Sequence, residues 1–324
     1  MGISHYIKEI GRGARGAKPL AREHARDLFG QVLDGRVTDL ELGAFCLAMR
    51  IKGETPDELA GFLDATHERL ARIPTDGNAR PLVVIPSYNG ARKLPVLTPL
   101  LALLLAREGL PVLLHGSQTE ARRVTASAVL EAMGHAPLAT VRAVREGEVV
   151  HVTTDTLCPG LKRLLDVRQV VGLRNPGHSV VKLMLPGSDS NQLLISSYTH
   201  PAYAESMAAT FELLQMNALL SRGLEGESVA DPRRTAQVDG FVHGQRIELQ
   251  AQSAGTLAEV PGLPESLDVD TTVDYTRRVL DGALPVPDAI ARQVEHVSRL
   301  VQMMAQTPRN PISSHDKAAA EQPA

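Results

Sequence analysis

Cysteine, aromatic residues, a dominant charge and long apolar runs are all scarce in this 324-residue chain, and each scarcity removes a class of protein. Only Cys46 and Cys158 are present, in unlike contexts, so they suggest neither a disulfide framework nor a zinc site. Aromatic residues make up 3% and tryptophan is absent, which leaves little to stack on single-stranded bases. The longest nearly apolar run, Pro95 to Ala106, is about half a membrane span and holds two prolines and a threonine. Lys8, Glu9 and Arg12 fall where a signal peptide would carry its apolar stretch, so the expectation is a cytoplasmic chain without a membrane partner. A net charge of −3 does not by itself announce a nucleic-acid binder.

The charge that is present is segregated along the chain. Residues 1–26 carry six Lys/Arg against two Glu, residues 162–182 carry five against one Asp, and residues 223–288 carry twelve Asp/Glu against five Arg. The acidic stretch is expected to face away from a basic track. Arginine outnumbers lysine 27 to 7. That ratio suits bidentate phosphate contacts and follows equally from GC-rich coding.

Periodicity divides the chain in two. The first seventy-odd residues read as helices. Thr38-Asp39-Leu40-Glu41 and Thr55-Pro56-Asp57-Glu58 are capping boxes, with Gly53 a helix stop between them. The second helix is expected to run on to about Pro74, and GRGARGAK (11–18) links two earlier helices. From about residue 80, PLVVI and PVLLHG read as buried parallel strands followed by apolar helices, the second beginning near Ser117–Glu120. NQLLISSY and NALLSRG are further strands, TAQVDGFV and QRIELQA a hairpin-like pair, and two helices close the chain before a tail (307–324) expected to be disordered.

FCLAMRIKGETPDELAGFLDA (45–65), and LLHG followed by a T-x-S-A-x-V-L-E-A-M-G helix, resemble anthranilate phosphoribosyltransferase over most of the chain. The resemblance implies α/β plus a small all-α domain, the nucleoside phosphorylase/phosphoribosyltransferase-type fold. The implied units are a helical, dimerising domain of residues 1–74 with 156–187, and an α/β domain of 75–155 with 188–306. Ligand positions of that family are altered here. A Gly-Thr-Gly-Gly-Asp phosphate loop is replaced by Pro86-Ser87-Tyr88-Asn89-Gly90, where proline removes a donor and Tyr88 would fill the cradle. Lys-His-Gly-Asn becomes Leu114-His115-Gly116-Ser117, and a magnesium-holding Asp-Glu pair becomes Glu225-Gly226-Glu227. Separated carboxylates speak against an octahedral magnesium site, so no metal, cofactor or catalytic residue is expected.

VVGLRNPGHSVVKL (170–183) and LLSRGLEGESVADPRR (219–234) more narrowly resemble a paralogous YbiB-type group with the same TrpD-like fold. That likeness implies a homodimer that binds DNA, or RNA, with little sequence preference and without transferase activity. The candidate phosphate contacts are Arg12, Arg15, Lys18, Arg92, Lys93, Arg122, Arg123, Lys162, Arg163, Arg174 and Lys182. Ser87, Asn89, His115, Ser117, Glu225 and Glu227 would line a degenerate substrate pocket. Each has a plainer role. GRGARGAK can be a solvated linker, and Arg122-Arg123 an ordinary helix face between Glu120 and Glu131. Arg174 and Lys182 can serve packing, Arg233-Arg234 can neutralise the acidic loop, and His115 and His178 can be hydrogen-bonded structural groups. The alternative function is a glycosyl or phosphoribosyl transferase of altered substrate, using Ser87, Asn89, His115, Glu225 and Glu227.

Overall fold

The computed structural model describes residues 2–13, 15–75, 78–117 and 122–307. Four helices come first: α1 (Ser4–Ile10), α2 (Arg22–Leu33), α3 (Asp39–Lys52) and α4 (Pro56–His67). Both capping boxes form. Thr38 accepts from the Glu41 N–H at 3.3 Å while Glu41 Oε2 accepts from Thr38 N at 2.9 Å, and Thr55 and Glu58 repeat the arrangement. Three of the five phenylalanines gather here, Phe29 stacking on Phe62 at 4.6 Å and Phe45 meeting Phe62 edge-on at 6.1 Å. So few aromatics suffice because they are concentrated at one packing point. α4 ends at His67 rather than near Pro74; beyond it Ile73 forms a parallel bridge to Gly187.

The α/β part follows as β1 (Leu82–Pro86), α5 (Thr98–Arg107), β2 (Val112–Gly116), α6 (Ala126–Ala132) and β3 (Val149–Thr153). α6 starts later than the sequence suggests. Thr125 caps it, accepting from Ala128 N at 3.2 Å, while Val124 is held in an antiparallel bridge to Ala91. Arg122 and Arg123 therefore lie in the turn before the helix, not on its face. The chain then returns to the helical bundle through α7 (Thr154–Leu157), α8 (Pro159–Val171) and α9 (Gly177–Val180). α8 packs on α2, where the Arg163 guanidinium donates to Leu33 O at 2.7 Å. It re-enters the sheet as β4 (Gln192–Tyr198), α10 (Pro201–Leu213) and β5 (Ala218–Arg222), then a hairpin of β6 (Val238–Val242) and β7 (Gln245–Gln250), and finishes with α11 (Val269–Leu280) and α12 (Asp288–Gln306).

The seven strands run β3-β2-β1-β4-β5-β6-β7, the first five parallel and the last two antiparallel. Alternate residues serve two cores. Val84, Leu113, Leu194 and Leu220 face the helical bundle and α10, whereas Ile85, Leu114, Ile195 and Leu219 face α5, α6, α11 and α12. Phe211 on α10 meets Phe241 on β6 at 5.2 Å, so the remaining two phenylalanines tie the hairpin to the sheet. The strand order reverses between β1 and β4, the place where open α/β sheets put ligand sites. Among the described residues no helix is long and apolar enough to cross a membrane. The tail expectation concerns residues of which all but Thr307 lie outside those described.

Candidate functional site

The carboxyl ends of β1 and β5 lead into two loops that interlock. β1 is buried along its length and delivers Ser87 to Leu94; β5 delivers Gly223 to Glu227 through a single tight turn at Leu224–Gly226. Within that turn Glu225 adopts φ 53° and ψ 23°, a left-handed backbone that non-glycine residues take at a cost. Gly226 follows at φ +86°, where an added Cβ would sit 2.4 Å from Asn89 Nδ2, so only glycine fits.

The result is a loop wrapped around two carboxylates of its own chain. Glu227, 2% exposed, accepts from Ser87 Oγ at 2.5 Å, Thr98 Oγ1 at 2.9 Å, Asn89 N at 2.8 Å and Gly90 N at 2.9 Å. Glu225 Oε1 accepts from the next amides, Arg92 N at 3.3 Å, Lys93 N at 2.6 Å and Leu94 N at 3.2 Å. Backbone N–H groups in a turn are the usual receptor for a phosphate; here they are spoken for. The carboxylates also do not suit magnesium. A cation on Glu227 Oε1 would stand against the N–H groups of Asn89 and Gly90, and Oε2 already takes two hydroxyl donors. Two residues of the acidic 223–288 stretch thus point into the loop that carries Arg92 and Lys93, contrary to the expectation that this stretch faces away.

Asn89 joins the loops to the segment returning from the bundle. Its Nδ2 donates to Gly226 O at 2.8 Å, its Oδ1 accepts from Arg174 Nη2 at 2.8 Å, and its carbonyl accepts from Arg123 Nη1 at 3.3 Å. Tyr88 does not enter the cradle, as the sequence suggests it would; it is buried and donates to His178 O at 3.0 Å. Lys182 Nζ donates to Ser197 O at 3.1 Å and lies 5.9 Å from the centre of the Tyr88 ring. Burial, reinforced by the Arg174 charge, brings the Lys182 ammonium down to about 8. Arg174 and Lys182 line a cleft of about 420 Å³ between bundle and sheet, together with Arg50, Glu54, His178 and Tyr203.

The other sequence candidates scatter. Arg92, Lys93 and Arg122 are exposed, while the backbone amides of Arg92 and Lys93 are held by Glu225. Arg15 and Lys18 are exposed between α1 and α2, and Lys18 N donates to Glu9 O at 3.1 Å. Arg12 is paired with Glu9 at 2.6 Å, Lys162 with Asp166, and Arg163 is committed to Leu33. Arg233 and Arg234 both pair with Asp231. His115 is fully buried and, with Ser117 Oγ, finds no hydrogen-bond partner among the described residues, unlike the structural role expected of it. Burial brings its imidazole down to about 3, so it stays neutral. His178 does have the structural role, its Nδ1 lying 3.2 Å from Asn175 Oδ1. Thr98 escaped the sequence reading; its only signal was a Thr-Pro pair opening a helix opposite the loop.

Comparison with known proteins places this arrangement. Residues 4–69 match the glycosyl transferase family, helical bundle domain. YbiB of Escherichia coli strain K12 is 38% identical over 295 residues, covering 89% of this chain and 91% of that protein. The chain belongs to the YbiB family. Anthranilate phosphoribosyltransferase of Methanopyrus kandleri is 26% identical over 281 residues, spanning 82% of this chain and 81% of that enzyme. The crystal structure of the Thermus thermophilus enzyme of that name superposes with a TM-score of 0.71 at 22% identity, covering 94% of this chain and 90% of that one. This YbiB-family chain therefore has the anthranilate phosphoribosyltransferase fold, with the carboxylate-filled loop at its switch point.

Proposed function

We propose that this protein binds nucleic acid, DNA in the first instance, through the phosphate backbone, and that it is not a working phosphoribosyltransferase. The observation that carries this is the closed loop: Glu225 and Glu227 take the amides a diphosphate would need, while Arg92 and Lys93 remain exposed. Exposed cations that hold no carboxylate among the described residues suit a polymer's backbone, where each contact releases condensed counterions. A homodimer accompanies the proposal. Leu40 (84% exposed), Leu47 (47%) and Ile51 (59%) form a stripe on one face of α3, and Val170 (89%) stands exposed on α8. A second copy of the bundle is the occupant proposed for that stripe, and it would double the set of exposed cations.

A second reading, a transferase of altered substrate, is favoured by the relatives named anthranilate phosphoribosyltransferase and by the cleft that Arg174 and Lys182 line. One pair of measurements separates the two. Gel shift with random-sequence duplex should show binding at low salt. With about six phosphates contacted, affinity should fall about a thousandfold between roughly 50 and 200 mM salt. Phosphoribosyl pyrophosphate with Mg²⁺ should leave the melting temperature unchanged. No duplex binding at low salt, with a thermal shift from the sugar diphosphate, would reverse the assignment.

A further inference from the structure

We infer that the arginine-lined pocket between the β5–β6 connection and the start of α12 is a site for a terminal phosphate group, a phosphomonoester carried by a mononucleotide or by the end of a nucleic-acid strand. The pocket is separate from the switch-point loop, and the inference does not rest on nucleic-acid binding.

The pocket has a volume of about 420 Å³ and is lined by Arg233, Arg234, Thr235, Ser253, Thr256 and Arg292. Small-molecule sites occupy about 300–1,000 Å³, so the space suits more than a bare ion. Its walls are fixed. Ser253 N donates to Thr235 O at 3.2 Å and Leu257 N to Arg233 O at 2.9 Å, which clamps 253–257 against 233–235. The buried Gln293 side chain fastens the start of α12, accepting from Ala230 N and donating to Ser228 O, both at 2.8 Å. The three guanidiniums are unequally engaged. Asp231 accepts from Arg233 Nε at 3.0 Å and Nη2 at 2.9 Å, but stands 3.6 Å from Arg234 Nε, too far for a hydrogen bond. The Nε atoms of Arg234 and Arg292 are both buried and find no hydrogen-bond partner among the described residues. Leaving a buried donor of a charged group empty is costly, and two on the wall of one cavity require an acceptor that enters it. Three arginines against Asp231 and Asp288 leave one net positive charge. Arg234 and Arg292 reach the cavity from different elements, so the acceptor must offer oxygens in more than one direction. A phosphomonoester has three such oxygens and a planar carboxylate two; Asp231 already uses the fork of Arg233 in the carboxylate manner. Arg233 lies within electrostatic reach of Glu225, which holds the Arg92 and Lys93 amides, so the pocket neighbours those exposed cations without sharing their loop.

The test uses the full chain and two pairs of probes: AMP against adenosine by calorimetry, and a random-sequence duplex with 5′-phosphates against the same duplex with 5′-hydroxyls by gel shift. Wild type should bind the phosphorylated member of at least one pair about tenfold more tightly than its counterpart. That preference should vanish when Arg234→Gln is combined with Arg292→Gln. A preference for AMP identifies the source as a free mononucleotide, and one confined to the duplex identifies a strand end; either supports the site. No preference in either pair would overturn the inference. So would a preference that survives in the double variant, or one abolished as readily by malonate as by inorganic phosphate. Arg292 holds no partner among the described residues, so Arg292→Gln alone is measured in the same way if the double variant does not fold. If neither duplex binds, the nucleic-acid assignment falls, and the AMP pair alone decides the pocket.

Discussion

Acid should loosen the joint between bundle and sheet, and His67 is where the effect can be worked out. His67 ends α4, and its Nε2 accepts the backbone N–H of Leu185 at 3.1 Å, on the strand of chain returning from the bundle. An Nε2 acceptor requires the neutral ring with its proton on Nδ1. Protonation would set an N–H against an N–H in a buried place. Burial, helped by the Arg72 guanidinium and opposed by Asp64, brings the imidazole down to about 4. The folded state therefore prefers the neutral ring, so its stabilisation is complete above the unfolded value of about 6.5 and is lost as pH falls toward 4. The full span of the shift corresponds to about 3 kcal/mol, of which roughly 2 kcal/mol is gone at pH 5.

The comparison is wild type against His67→Gln, whose amide oxygen can accept the same N–H and does not titrate. Urea unfolding at pH 7 and pH 5 gives four stabilities. His115, His151 and His178, all neutralised by burial, titrate alike in both proteins and cancel in the difference. Wild type should lose about 2 kcal/mol more than His67→Gln on going to pH 5. Equal losses, or a His67 imidazole that titrates near 6.5 by NMR in the folded protein, would refute the reasoning.

Glu58 is fully buried, ion-paired to Lys52 at 2.5 Å and bonded to Leu20 N at 2.9 Å, so Glu58→Ala should destabilise by about 3–5 kcal/mol in urea unfolding, with the buried ammonium left unpaired. Leu47→Arg with Ile51→Arg should turn a dimer into a monomer by light scattering without lowering the melting temperature of the monomer, because both side chains are exposed on α3. Arg92→Ala with Lys93→Ala should leave stability unchanged, since Glu225 holds the backbone there, yet reduce the salt dependence of duplex binding by about two contacts per protomer.

Local signals in the sequence carried over into the structure wherever the interaction is local. The capping boxes at Thr38 and Thr55 each close within three residues, and both are present. β3 has no such signature: Val149–Thr153 is a five-residue edge strand interrupted by His151, held by its pairing with β2. The helix expected to begin near Ser117–Glu120 would have included Val124, whose backbone is instead bridged to Ala91, thirty-odd residues upstream. At the site, the altered ligand positions are legible one by one, and Ser87, Asn89, Glu225 and Glu227 do come together. The direction of the glutamates is not legible, because it depends on a left-handed turn at Glu225 and on Thr98 arriving from another element.

Closure of the loop also gives its inward-facing amides the acceptors they need. A turn that aims amides inward must give them an acceptor, and each buried donor left empty costs about 1–3 kcal/mol. In a transferase the substrate can serve in that role; here Glu227 and Glu225 accept seven donors and remove the need for one. The exchange leaves charge behind. Arg92, Lys93, Arg174 and Lys182 stand on or beside the loop, Arg174 held by an amide oxygen and Lys182 by a carbonyl, so the two carboxylates balance only half of them. A small diphosphate would neutralise that excess by entering the cradle. With the cradle filled, the proposed polyanion would meet the charge of Arg92 and Lys93 along the carboxyl edge of the sheet without displacing either glutamate.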